Sequence, residues 1–157
     1  LIEEKIGVSA IIFNDLKIYR SNDFEFNLED MFLFEGQTGP YLQYTSVRIT
    51  SILNSEDFVF DSQVDYSILS RESEFEIIKA ISQYQMTIEK AALESSPSIL
   101  AKYLLNLASL FNSYYGKEKI NVENQLEKTT KKHLLTMVRT VLNDGMTLLG
   151  MQIIEKM

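Results

Sequence analysis

Apolar residues recur at spacings of three and four through most of the chain, a rhythm that predicts helices rather than strands. The clearest run starts at Pro97 after Ser96, where Leu100, Leu104, Leu107, Phe111 and Tyr114 form one stripe, as bundle helices do. Gly116 is placed to end that helix in a left-handed conformation. Before it, Ile77, Ile81, Tyr84, Ile88 and Ala91 predict a helix from about Arg71 to Glu94. Ser70 reads as its N-cap, with Glu72 and Glu74 at the positive end of the helix dipole. After it, Leu134, Val138, Val141 and Leu148 predict a helix from Gln125 or Lys128 to Leu149, stopped by Gly150. Gly145 inside this helix costs about 1 kcal/mol against alanine. Close approach of a neighbouring helix is the expected compensation.

The first half of the chain is more interrupted. Ile6, Ala10, Phe13 and Leu16 predict a short helix within residues 5–18. A polar link follows, in which Phe24 and Phe26 alternate like an extended piece, and "EDMFLF" suits a single helical turn. Pro40 then stands at a helix start, with Thr38 or Gly39 as cap. Leu42, Ile49, Ile52 and Leu53 give that helix an apolar side, while Tyr41, Tyr44 and Arg48 share a second face. The acidic stretch "NSEDFVFDSQVDYS" reads as a connection carrying solvated charge at Glu56, Asp57, Asp61 and Asp65. No internal repeat is evident. The predicted class is an all-α helical bundle.

At 157 residues and 45% hydrophobic content, the chain has enough apolar material for one domain with a short extra segment. It has no cysteine, which removes disulfides, thiolate metal sites and thiol nucleophiles and suits a reducing cytosolic compartment. No apolar run is long enough to span a bilayer. The opening "LIEEKIGVSAIIF", without methionine and almost in mid-helix, suggests an excised fragment. A net charge of −7 argues against a general nucleic-acid binder. The average hides a local excess, since residues 117–139 carry six basic residues against three glutamates. Such a patch can meet phosphates, although a solvated loop and helix end is the plainer reading.

Candidate chemistry is sparse. The sole histidine, His133, has no HExxH spacing and reads as a surface residue, and no phosphate-binding glycine loop is present. No nucleophile–base pair and no metal set stands out. What remains is binding chemistry. Single-stranded RNA loops are read by stacking bases on aromatic rings, hydrogen-bonding their edges and holding phosphates with cations. Tyr41, Gln43, Tyr44 and Arg48 on one helix, and Tyr114 and Tyr115 at the end of another, offer those groups. Lys131 and Arg139 supply positive charge. From spacing alone the favoured reading is still the plainer one, tyrosines of the core or its rim whose hydroxyls reach water.

The stretch "FEGQTGPYLQYTSVRITSIL", Phe34 to Leu53, closely resembles the arginyl-tRNA synthetase family. That family's pattern here is approximately F-E-G-x-T-G-P-Y-x-Q-Y-x-x-x-R-x-x-S-I, and every specified residue is present. "RTVLNDGMTLLGMQIIEKM" is similar to the family's closing stretch, with its V-L-x-x-G-x-x-L-L-G and a tail ending in E-[RK]-M. "LAKYLLNLASLFNSYY" is similar to the helix before its anticodon-contact tyrosine. The resemblance implies an α-helical anticodon-binding domain of the DALR type over residues 34–157. Residues 1–33 would be the end of a helical connection from a catalytic region, and "EKIGVSAIIFNDL" is similar to the segment after the family's KMSKS-like loop.

The resemblance further implies that the whole enzyme joins arginine to its tRNA using ATP with magnesium, in the cytoplasm. The HIGH-like motif, the KMSKS-like loop and the arginine and ATP sites would lie upstream. This part would have no catalytic site, cofactor or metal of its own. It would grip the anticodon stem-loop of the tRNA for arginine and contact the upstream catalytic domain. Residue by residue, Tyr44 and Arg48 match the family's tyrosine and arginine on the helix that meets the anticodon loop. Tyr115 matches the tyrosine after the later helix, and Met157 matches the terminal methionine. Tyr41 and Gln43 share the first motif, and Lys131 stands near a position where the family commonly has arginine, without the bidentate fork. The tail lacks the proline often found before its glutamate. Two alternatives are the related anticodon domain of another class I synthetase, which the PYxQYxxxR motif opposes, and a helical protein-interaction module using the Tyr/Arg face of residues 40–53.

Overall fold

A computed structural model describes residues 1–54 and 63–156. Its helices are α1 (Ile2–Leu16), α2 (Leu28–Met31), α3 (Gly39–Asn54), α4 (Glu72–Ser82), α5 (Tyr84–Leu93), α6 (Pro97–Lys117) and α7 (Gln125–Leu148), with a 3₁₀ turn at Tyr66–Ile68. No strand occurs among the described residues. Helix α6 is the hub of the bundle and packs against α1, α3, α4, α5 and α7, while α3 lies between α1 and α7.

Local chemistry sets the helix starts. The Thr38 hydroxyl accepts a hydrogen bond from the Tyr41 amide at 3.1 Å, so Thr38 is the cap and Pro40 takes the second helical position rather than the first. Ser96 precedes Pro97 at the first position of α6, as the sequence predicts. The Asn124 side chain caps α7 by accepting from the Glu127 amide at 3.0 Å. In α4 the cap is Arg71 and not Ser70; its backbone N–H donates to Glu74 Oε2 at 3.1 Å.

The stripe Leu100, Leu104, Leu107, Phe111 and Tyr114 is buried throughout and joins Phe13, Leu42, Ile49, Ile77, Leu134 and Val138 in one core. Tyr114 belongs to that core. Its hydroxyl meets the buried Glu74 Oε1 at 3.2 Å, and burial first, then that carboxylate, pushes its pKa up.

Three further expectations fail. The helix predicted from Arg71 to Glu94 is two helices, broken at Gln83. The Ala80 carbonyl, which a continuous helix would offer to Tyr84, accepts from Gln83 N–H in a tightened turn and from the Tyr103 hydroxyl at 2.7 Å. Gly116 does not end α6 in a left-handed conformation; the helix runs on to Lys117. Leu148 is exposed, and the buried face of α7 ends instead with Leu142, Gly145 and Met146. Leu148 keeps the apolar rhythm, only about 20° round the helix from Val141, but its side of the last turn is left uncovered.

Close crossings account for two glycines. A Cβ at Gly145 would stand 2.5 Å from Leu104 Cδ2 on α6, so α7 does approach its neighbour closely there. A Cβ at Gly39 would stand 2.7 Å from the Ser9 carbonyl oxygen of α1. After α7, Gly150 turns the chain with φ +82°. The tail then lies back on the bundle. Met151 and Ile154 are buried, and Gln152 N–H donates to Ser9 Oγ at 3.1 Å.

Candidate nucleic-acid interface

Helix α3 has two faces of different chemistry. Its inner face is pinned by Leu42, Ile49 and Leu53, and that burial turns Tyr44 outward. Tyr44 is 37% exposed, and Tyr115, from the last turns of α6, is 41% exposed. Arg48 lies between them, with its guanidinium carbon 4.7 Å from the Tyr44 ring centroid and 5.7 Å from that of Tyr115. One guanidinium nitrogen donates to the Tyr44 hydroxyl at 3.0 Å, and the other to Asn112 Oδ1 at 2.7 Å. Phe34 meets the Tyr44 ring edge-on at 6.2 Å, and Phe111 stacks behind Tyr115 at 5.9 Å. Each ring therefore has an apolar backing. Beside them opens a cleft of about 610 Å³, lined by Arg48, Ser51, Ile52, Tyr115, Glu118 and Lys119 among others.

This arrangement can receive a flat, polar ligand. Aromatic faces attract the π-face of any base, and a half-buried guanidinium offers donors to base edges or phosphate. The positive charge is already seated on two rings, a cation–π arrangement that orders it without neutralising it.

The other residues singled out in the sequence divide. Tyr41 is half-buried, with its hydroxyl accepting from Asn112 Nδ2 at 3.0 Å. Gln43 is 0% exposed; its Nε2 donates to the Gln152 carbonyl at 2.8 Å, so it ties down the tail instead of facing a ligand. Lys131 is a second correction, at 2% exposed. Its ammonium pairs with Glu127 at 2.6 Å and donates to the Lys119 carbonyl at 3.0 Å, so it orders the α6–α7 connection rather than holding phosphate. Arg139 is half-buried and 3.4 Å from Thr50 Oγ, on a separate cleft between α3, α7 and the tail. His133 is half-buried, not a surface residue. Met157, with Glu56, Asp57 and Asp61, lies outside the described residues.

Sequence reasoning missed Asn112 and Phe34. A lone asparagine in a helix carries no periodic signal, and Phe34 stands in a loop whose return toward α3 only the fold supplies. The one signal available was Phe34's place at the head of the motif.

The fold and the site together define an all-α helical bundle that presents a half-exposed tyrosine–arginine cluster. The chain belongs to the DALR anticodon binding domain family, which matches residues 42–157. It is 41% identical over 152 residues to an arginine–tRNA ligase from Halothermothrix orenii, a match covering 97% of this chain and 27% of the relative. An arginine–tRNA ligase from Streptococcus uberis is 42% identical over 156 residues, again covering 27% of the relative. The chain thus spans about a quarter of the length of the curated relatives it matches. Among solved structures, Thermus thermophilus arginyl-tRNA synthetase aligns over 98% of this chain and 27% of its own, with TM-score 0.90 and 27% identity. Arginyl-tRNA synthetase from Plasmodium falciparum aligns over 99% of this chain and 28% of its own, with TM-score 0.89 and 26% identity.

Proposed function

We propose that this chain is the anticodon-recognition part of an arginine–tRNA ligase and that the Tyr44–Arg48–Tyr115 cluster meets the anticodon loop of the tRNA for arginine. The observation that carries the reading is the seating of Arg48 on two half-exposed rings beside an open cleft. That is the chemistry a splayed, single-stranded base requires. Arg139 of α7, beside Thr50 of α3 on the neighbouring cleft with Lys156, extends the surface toward the loop backbone. Tyr41 shapes the site from behind through Asn112. Met157 is assigned to the same surface on the family resemblance alone.

In this reading the larger protein activates arginine with ATP and magnesium and transfers it to the tRNA terminus, in the cytoplasm. In this reading, which follows the family resemblance, the arginine and ATP sites belong to a catalytic region upstream of these residues. Residues 1–33 are the end of the connection from that region. The module's task is to hold the anticodon stem-loop so that the acceptor end reaches the catalytic site. No helix among the described residues is long and apolar enough to cross a membrane.

The test is a titration of the protein with a labelled anticodon hairpin of the arginine tRNA and with the same hairpin carrying altered loop bases. Each is repeated over a range of salt. Recognition predicts tighter binding to the native loop and an affinity that falls with salt, with a slope that counts phosphate contacts. Equal binding to both hairpins would reduce the surface to a nonspecific cationic patch. Salt-insensitive behaviour indifferent to tRNA would point to a peptide-binding face.

A further inference from the structure

Asn112 stands on α6 between the core residue Phe111 and the exposed end of the helix, half-buried and facing α3. Its carboxamide has partners on all sides. Nδ2 donates to the Tyr41 hydroxyl and to Thr45 Oγ, both at 3.0 Å, while Oδ1 accepts from Arg48 Nη1 at 2.7 Å. The orientation is dictated by chemistry. A guanidinium only donates, so the amide oxygen must face Arg48 and the NH₂ must face the two hydroxyls. Thr45 gives its own proton to the Tyr41 carbonyl at 2.8 Å, which leaves its oxygen as an acceptor for Asn112. The three partners, at positions 41, 45 and 48, follow one face of α3. A single side chain therefore locks the register of α6 against that face and fixes one end of the guanidinium. The Tyr44 hydroxyl fixes the other, accepting at 3.0 Å.

We propose that Asn112 is a positioning residue for anticodon-loop recognition: it holds the Arg48 guanidinium between Tyr44 and Tyr115 before RNA arrives and makes no RNA contact itself. The inference rests on reading this face as the RNA-loop surface. A free arginine side chain loses much rotamer freedom when it is ordered, and that loss weakens binding when it occurs on association. Here it is borne during folding. The incoming base then meets donors already aimed. Specificity follows as well, because a guanidinium fixed in one plane discriminates among base edges where a mobile one adapts to several.

The test compares Asn112→Leu, Asn112→Asp, Arg48→Ala and the Asn112→Leu/Arg48→Ala double variant in the full-length protein. Two quantities are read: affinity for native and altered hairpins, and, without RNA, rotation of the Arg48 guanidinium by ¹⁵N NMR. Asn112→Leu is expected to weaken native-hairpin binding about tenfold and to narrow the gap between the two hairpins. It should add nothing in the Arg48→Ala background. Asn112→Asp keeps the acceptor for Arg48, and the Tyr41 hydroxyl can turn its proton toward it, so affinity should stay within about threefold of the parent. Guanidinium rotation should be slow in the parent and in Asn112→Asp, and fast in Asn112→Leu. An equal loss of affinity with or without Arg48 would show that Asn112 only supports the fold and would overturn the proposal. Unchanged Arg48 rotation in Asn112→Leu would overturn it as well. If the parent protein does not distinguish the hairpins, it is the RNA reading that fails, and the rotation measurement still decides whether Asn112 holds Arg48.

Discussion

At the scale of single residues, neighbours on one helix do opposite work. Tyr44 and Gln43 are adjacent, yet one ring is open to solvent and the other side chain is sealed under the tail. Tyr44→Ala is expected to weaken hairpin binding by about 1–3 kcal/mol, the loss typical of one stacked base. Tyr44→Phe keeps the ring but drops the hydroxyl that fixes Arg48, so its loss should be smaller. Retained affinity in a folded Tyr44→Ala protein would remove stacking from the account. Lys131 and Glu127 make a different case. The buried ammonium holds the Glu127 carboxyl below its ordinary value of 4.5, chiefly through their direct hydrogen bond. A carboxyl with a depressed folded-state pKa contributes stability above its ordinary pKa and loses it as pH falls through the depressed value. Urea midpoints of the parent should therefore fall through this acid window, and Glu127→Gln should remove that part of the fall. At neutral pH the same substitution leaves a buried cation short of its counter-charge and should cost about 1–3 kcal/mol. Superimposable pH profiles for the two proteins would show that the pair contributes nothing.

Between elements, glycine marks two close crossings, and their partners differ in how far they can yield. At Gly39 the obstacle is the Ser9 carbonyl of α1, which is backbone; at Gly145 it is the tip of Leu104, a side chain with rotamers. Gly39→Ala should therefore destabilise the protein by about 1–3 kcal/mol as α1 and α3 are forced apart. Gly145→Ala regains up to about 1 kcal/mol of helix propensity, which offsets part of the strain, so it should be the milder of the two. Chemical unfolding of both variants checks the order, and an equal or reversed order would mean that α1 slides freely on α3. The close approach at Gly145 was legible in the sequence because a mid-helix glycine needs a reason. The break at Gln83 was not, since it depends on the Tyr103 hydroxyl reaching across from α6 to take a carbonyl. Leu148 was misjudged for a simpler reason. It fits the apolar rhythm, and only the position of the neighbouring helices decides that its side of α7 is exposed.

Across the whole molecule, the two ends of the described chain are joined at the helix that presents the candidate site. Gln152 donates its N–H to Ser9 of α1 and receives the Gln43 amide of α3 on its carbonyl, while Met151 and Ile154 sink into the bundle on either side. The motif around Tyr44 is legible in the sequence as a family pattern, whereas the use of its glutamine as a tail clamp is not, because that partner is 109 residues away. Contacts of such separation must be made by global folding and are absent from any local pattern. The strap has two parts that can be separated. Met151→Ala deletes a buried side chain and should lower global stability by about 2–5 kcal/mol. Ser9→Ala removes only the acceptor for the Gln152 amide. It should speed hydrogen exchange at Gln152 while the α6 amides keep the protection of the intact core. Faster exchange in α6 as well would mean that the tail and the core open as one unit, and unchanged exchange at Gln152 would mean that the Ser9 hydroxyl does not hold the strap.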